Sequence, residues 1–453
     1  MKSSELRSIW LKHANEQKEF LNDRIDSDIE KYRKGDIHIK LVGKDGMPIS
    51  NRKIKITLKK HAFRYGANIF MLDGFNDSTL NDTYRRVFKE YFNLATIPFY
   101  WDTLEPQEGK VRFKKDSCKI YRKPPIDLCM EYCEENNIAA KIHCLVYDGF
   151  IPEWLPSNDM QRMEKAYEKR ISEIARCYDG KFEEIEVLNE LLCEHLWPWS
   201  EKSIISSKRD IIEWAFGLTR KYMPNDKLLI NDYSGVILDI CDMDYRAPYF
   251  MMIDNALKNG ATIDKIGIQH HCFCGATAKT VKEYEKDIQN EDYIKLFNPE
   301  KILKGLDILS ELNLPIEVTE VTVPTFGVSE EDELLQADLL DLLYSTFFSH
   351  PMVENIVYWN VPDGYAYVPV SGTKDENRCR GGLFNHDMTP KKSALRLYEM
   401  FNKRWNTDLE LISDENGMVF CRGFLGEYIV KIDNNTQEFV LRKNDSKPIT
   451  IVI

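Results

Sequence analysis

Apolar and polar positions along the chain change rhythm three times. Residues 3–32 are polar and helix-compatible, and they predict one long helix. Ile37-His38-Ile39-Lys40-Leu41 and Lys53-Ile54-Lys55-Ile56-Thr57-Leu58 then alternate apolar with polar on either side of a turn at Asp45-Gly46, which predicts a half-buried antiparallel hairpin. From about residue 61 short apolar runs alternate with amphipathic stretches such as 160–177. Candidate strands fall at 63–69, 93–97, 140–146, 185–189, 228–231, 266–269, 316–319 and 356–360. Strand–helix alternation repeated in this way predicts an α/β fold, a (β/α)8 TIM barrel. After Trp405 the runs 409–412, 428–432 and 439–441, with turns at Asn416-Gly417 and Asn434-Asn435, predict a small antiparallel sheet.

These changes divide the chain into an N-terminal helical segment (1–35), a β-hairpin (36–60), the barrel (61–404) and a C-terminal β-domain (405–453). A lone hairpin cannot bury its apolar face, so the terminal pieces are expected to form one accessory β-domain. That domain has no clustered Trp in its C-terminal part, and Tyr428 and Phe439 fit core positions, so its expected role is structural.

Composition narrows the classes of function. A net charge of −12 without a basic stripe argues against a nucleic-acid partner. The 11 cysteines are odd in number and scattered, which points to reduced thiols rather than a disulfide framework. Cys272-Phe273-Cys274 follows His270-His271, but a zinc site wants a second spaced pair and there is none, so no metal or cofactor is expected. No apolar run approaches membrane-spanning length and no leader is visible. The expectation is a cytoplasmic protein, or a secreted one if a leader has been removed, with no membrane partner.

Two of the apolar runs end on glutamate: Val187-Leu188-Asn189-Glu190 and Ile316-Glu317-Val318-Thr319-Glu320. A carboxylate at the C-terminal end of a barrel strand sits at the mouth, where barrel chemistry is done. Two delivered to one pocket are what glycoside hydrolysis needs.

With these runs in view, the chain resembles glycoside hydrolase family 10, the retaining β-xylanases, over roughly residues 60–400. The resemblance is carried by Tyr178-Asp179-Gly180-Lys181 with Glu186-Val187-Leu188-Asn189-Glu190, and by Ile316-Glu317-Val318-Thr319-Glu320. Trp101-Asp102-Thr103-Leu104-Glu105-Pro106, Lys141-Ile142-His143-Cys144-Leu145-Val146-Tyr147, Ile230-Asn231-Asp232-Tyr233 and Gly267-Ile268-Gln269-His270-His271 support it, in the family's order. It implies a carbohydrate substrate, Glu190 as general acid/base and Glu320 as nucleophile. The acid/base would stay protonated near neutral pH and the nucleophile charged, the pair titrating as a unit. It further implies that Asn189 bonds the sugar 2-OH and that His271 orients the nucleophile. His143 and Gln269 would line the −1 sugar over a Trp359 floor, with Trp101, Tyr233 and Tyr367 as further substrate contacts.

Three departures bear on the substrate. The family's charged −2 residues are replaced by Thr96-Ile97-Pro98-Phe99-Tyr100, a stretch without charge. Thr322 stands where the family tends to have Asp, and Tyr147-Asp148 stands where it has Trp-His. The expected activity is retaining hydrolysis of xylan-type β-1,4-linked chains. A decorated or non-xylan β-glycan, and a non-catalytic carbohydrate-binding barrel, stay open as alternatives. A metal-dependent hydrolase using His143, His270 and His271 is disfavoured because residues 63–69 contain no His.

Overall fold

The computed structural model describes residues 3–193, 202–369, 372, 374–444 and 448–453. Two strands, β1 (Lys34–Val42) and β2 (Lys53–His61), precede the barrel. The barrel is β3 (Arg64–Asn68), β4 (Leu94–Pro98), β5 (Ala139–Val146), β6 (Glu184–Asn189), β7 (Lys227–Asp232), β8 (Lys265–His271), β9 (Ile316–Thr322) and β10 (Val353–Tyr358). These eight close in chain order, all parallel, β10 pairing with β3. The fold class read from the sequence is borne out.

Every residue of β4, β6, β8 and β9 is buried. Outward side chains meet the helix ring; inward ones fill the barrel, as expected for a parallel sheet covered on both faces. Some of the intervening helices begin on side-chain caps: Asp159 accepts from the Arg162 N–H, Asn298 from Lys301, and Ser329 forms a capping box with Asp332.

Inside the barrel the strict two-residue alternation breaks where the site is built. The register of β6 shifts against β7 between Glu186 and Leu188, and that of β9 shifts against β8 at the position of Gln269 and Glu320. A bulge of this kind re-aims the side chains beyond it. Glu317 and Thr319 make their contacts inside the barrel, and the shift brings Glu320 to the same side, where unbroken alternation would send it to the helices.

The N-terminal segment differs from its expectation as one helix. It forms three, Ser3–Trp10, Lys12–Glu16 and Lys18–Tyr32, broken at Leu11 and Gln17. Its apolar residues Leu6, Trp10, Leu21, Ile25 and Ile29 join the barrel core, and the fully buried Trp10 indole donates to the Ile288 carbonyl at 3.0 Å. Arg33 then locks the segment to the barrel floor through the carbonyls of Phe348, His350 and Val353.

The accessory strands are β1, β2, β11 (Asp408–Ile412), β12 (Met418–Phe424), β13 (Gly426–Ile432), β14 (Asn435–Leu441) and β15 (Ile449–Val452). They make two sheets, β12-β1-β15 and β11-β2-β13-β14, so both chain ends contribute to each. The expected hairpin does not pair: β1 and β2 lie in different sheets. Their link is too long for a tight turn, and Ile37, Ile39 and Leu41 instead share one core with Ile54 and Ile56. Strands β12 and β15 were not anticipated.

Candidate active site

The C-terminal ends of the barrel strands surround a cavity of about 340 Å³ whose walls include Glu190, Glu320, Asn189, Gln269, His143 and His271. Glu190 follows β6 with φ 57°, a left-handed conformation that costs a non-glycine residue free energy and collects at functional sites. Its N–H bonds the Asn231 carbonyl at 3.1 Å, which pins the backbone there. The Glu190 carboxyl accepts from the Tyr147 hydroxyl at 2.5 Å and from the Gln269 amide at 2.9 Å.

Glu320 is 4% exposed. One oxygen meets His271 Nε2 at 3.0 Å, the other Asn231 Nδ2 at 3.3 Å. Asn189 links the two carboxyls: its Oδ1 accepts from Asn231 at 2.9 Å and from Gln269 at 3.3 Å. With that carbonyl doubly satisfied, the Asn189 NH2 is the group left for a substrate hydroxyl.

The histidines are shifted in opposite directions. His271 is held neutral, pushed down to about 3 by burial. Its Nδ1 lies 2.8 Å from the Thr322 hydroxyl, which can donate to it and so place the ring proton on Nε2, toward Glu320. For His143 burial acts downward, but the Glu186 charge and a 2.7 Å contact to Glu186 outweigh it and raise the imidazole. His143 Nδ1 is also 3.9 Å from Glu320.

Glu320 does not follow the expectation of a plainly charged group. Burial pushes it up to about 8, and the Glu186 and Glu190 charges add to the effect against His143. The crowding of carboxyls around a buried Glu320 therefore favours its protonated form.

The other anticipated residues divide. Trp359, Tyr233 and Tyr367 line the cavity. Trp359 packs edge-on against Phe70, His143 and His271 at 5.2, 5.4 and 5.9 Å. Tyr233 gives its hydroxyl to Asp239. Trp101 does not line the cavity. It is 2% exposed, its indole N–H donates to Glu105 at 3.0 Å, and its ring packs on Tyr167 and Arg170 behind the wall. It is the first residue of the helical turn Trp101–Leu104, which turns it from the mouth to the outer core.

Of the uncharged stretch before Trp101 only Tyr100 reaches the cavity, since Thr96 and Ile97 are buried within β4. His270 bonds the Leu296 carbonyl and packs on Phe347, so it does not join His143 and His271 in a triad. Sequence reading passed over Asn231, Glu186 and Tyr147 as site residues, and the cavity cations Arg122 and Lys123. For Glu186 a signal existed: Lys141 with His143 and Glu184 with Glu186 are polar pairs two residues apart inside otherwise apolar strands, so each pair shares the inner face.

A (β/α)8 barrel that carries two carboxyls from β6 and β9 into one cleft is a glycoside hydrolase scaffold. The chain belongs to glycosyl hydrolase family 10, whose family model matches residues 57–399. It is similar to the anti-sigma-I factor RsgI6 of Acetivibrio thermocellus, 26% identical over 437 residues that cover 93% of this chain and 46% of that protein. It is also similar to endo-1,4-beta-xylanase 1 of Arabidopsis thaliana, 24% identical over 435 residues, 93% of this chain and 39% of that one. The chain spans less than half the length of either relative. Among solved structures, xylanase 10B from Thermotoga petrophila RKU-1 in complex with xylobiose superposes with a TM-score of 0.58 at 22% identity, over 76% of this chain and 95% of that one. That likeness supports the barrel fold. Among the described residues no helix is long and apolar enough to cross a membrane.

Proposed function

We propose that the chain hydrolyses xylan-type β-1,4-linked glycans with retention, by double displacement. The observation that carries this reading is the hydrogen-bonded relay Glu190–Gln269–Asn189–Asn231–Glu320, which ties two carboxyls from different strands into one cavity. Glu320 attacks the anomeric carbon while Glu190 protonates the departing glycosidic oxygen. Glu190 then takes a proton from water, which attacks the glycosyl-enzyme and frees Glu320. One proton shared by the pair is what the first step requires. Burial pushes Glu320 up to about 8, and His143, its Nδ1 3.9 Å away, opposes that shift and favours the ionised nucleophile. Asn189 supplies the N–H donor to the sugar 2-OH, and Trp359 the apolar floor.

The second reading is a barrel that binds glycan without cleaving it; one relative carries the name of a regulator, an anti-sigma-I factor, rather than of an enzyme. The presence of both carboxyls weighs against it. The deciding experiment measures products from linear xylo-oligosaccharides, decorated xylans and mixed-linkage glucans, with wild type and Glu320→Gln. Release of xylo-oligosaccharides that disappears in the variant supports hydrolysis. Release from non-xylan glycans alone replaces the substrate class. Binding without release by either protein supports the second reading.

A further inference from the structure

One end of the cavity carries charge that the double displacement does not use. Lys123 and its neighbour Arg122 enter from the loop between β4 and the helix Ile126–Glu135 and line the wall beside Tyr100 and Phe70. The Lys123 ammonium lies 3.1 Å from the centre of the Tyr100 ring, with Phe70 and Phe150 at 5.1 and 5.8 Å. Among the described residues its contacts are these ring faces, and the carboxylates that act on it, Asp102 and Glu376, do so only at Coulombic range. Arg122 spends a guanidinium N–H on the Tyr365 carbonyl, and its own charge lies over Phe70 at 5.3 Å.

Away from the catalytic pair the cavity lining is unbalanced. Besides Glu190 and Glu320, its described lining holds one carboxylate, Glu376, against three cations, Arg122, Lys123 and Lys374. Lys374 takes Glu376 at 3.9 Å, which leaves the Arg122–Lys123 pair in excess. This occurs in a chain of net charge −12. An ammonium held among aromatic faces without a counter-ion is costly, and burial together with the Arg122 charge pushes it down, opposed by Asp102, Cys144 and Glu376. Asp102 acts only at Coulombic range, and its Oδ1 is buried without a partner. A ligand carboxylate entering beside Tyr100 would supply the missing counter-charge, and the ring faces would pack on the sugar that bears it.

We infer that Lys123, backed by Arg122, forms a carboxylate-binding subsite, and that the substrates this cleft prefers are xylan-type oligosaccharides carrying a uronic-acid unit. The inference rests on the hydrolase reading for its glycan class. The apparent loss of charge in the stretch before Trp101 is then a relocation, with the cation supplied by a loop about twenty residues further along the chain.

The test compares a xylo-oligosaccharide bearing one glucuronic-acid branch with the same molecule whose branch carboxylate has been reduced to the alcohol. With wild type, kcat/KM and calorimetric affinity should both favour the acid by about tenfold, and the preference should shrink in 0.5 M salt. In Lys123→Met the acid-to-alcohol ratio should fall to near one, and Lys123→Arg should restore most of it. Equal handling of acid and alcohol by wild type overturns the inference, as does a preference that survives Lys123→Met. If neither compound is cleaved, the hydrolase reading fails, and acid-selective binding lost in Lys123→Met still sustains the subsite.

Discussion

The barrel interior has two charged levels, and they are wired differently. On the lower level, glutamates meet lysines, although burial and the Glu184 charge still push Glu317 up to about 8. Lys141 reaches Glu317 at 2.7 Å and Glu186 at 3.3 Å; Lys265 bonds Glu184 and lies 3.0 Å from Glu354; Asn355 bridges Glu184 and Glu317. At the mouth, Glu190 and Glu320 meet hydroxyl, amide and a neutral imidazole, with His143 standing off at 3.9 Å. A carboxylate locked to a lysine is stable and unreactive. One held by dipoles keeps its proton equilibrium and its lone pairs available. Glu320 is nearly as buried as the lower glutamates and Glu190 is half-buried, so partner chemistry is what separates Glu320 from the scaffold.

The largest expected effect breaks the upper level. Glu320→Gln should lower kcat on a xylo-oligosaccharide on the order of 10⁴-fold while the fold stays intact. The same variant sharpens the contrast through stability. Folded Glu320, raised to about 8, binds a proton that the unfolded chain releases near the ordinary carboxylate range. Its contribution is therefore fully present at low pH and is lost as pH rises through 8. The melting temperature of Glu320→Gln relative to wild type should accordingly climb between pH 5 and pH 9. A flat difference would place the proton elsewhere.

Lys141→Met should behave in the opposite way. It strands Glu317 and Glu186 at zero exposure, and losing one partner of a buried ion network costs about 3–5 kcal/mol. Denaturant midpoints would register this; a change below about 1 kcal/mol would mean that the lower level is not held by charge.

Tyr147→Phe removes one donor from Glu190. A hydrogen bond to a charged group is worth about 1.5–3 kcal/mol, so kcat/KM should fall roughly 10- to 100-fold with little change in melting temperature. The smallest effect is expected at Thr322. Thr322→Asp puts a carboxylate on His271 Nδ1, favours the imidazolium and so lowers Glu320. The acid limb of the pH–rate profile should move down by roughly one unit. An unmoved limb would show that His271 stays neutral whatever faces Nδ1.

Much of this was legible in one dimension. All eight barrel strands could be located because each is a short apolar run bounded by helical pattern, and such runs are local. Glu190 and Glu320 were legible for the same reason, as polar residues closing those runs. What alternation could not say is which wall a residue faces once a bulge intervenes. Glu320 turns inward only through the register shift of β9, and Trp101 turns away from the cleft although its motif suggested contact.

The sequence by itself determined the strand–helix rhythm, the accessory strands β1 and β2, and the pair of carboxyl-bearing strand ends, because hydrophobic period and residue type are properties of neighbours along the chain. Only the tertiary structure decided that β1 and β2 lie in opposite sheets, that Lys141 neutralises glutamates far away in sequence, and that Lys123 arrives beside Tyr100. Those outcomes depend on which distant side chains share a low-dielectric space. Charge pairing there is set by distances of a few ångströms, which separation along the chain does not encode.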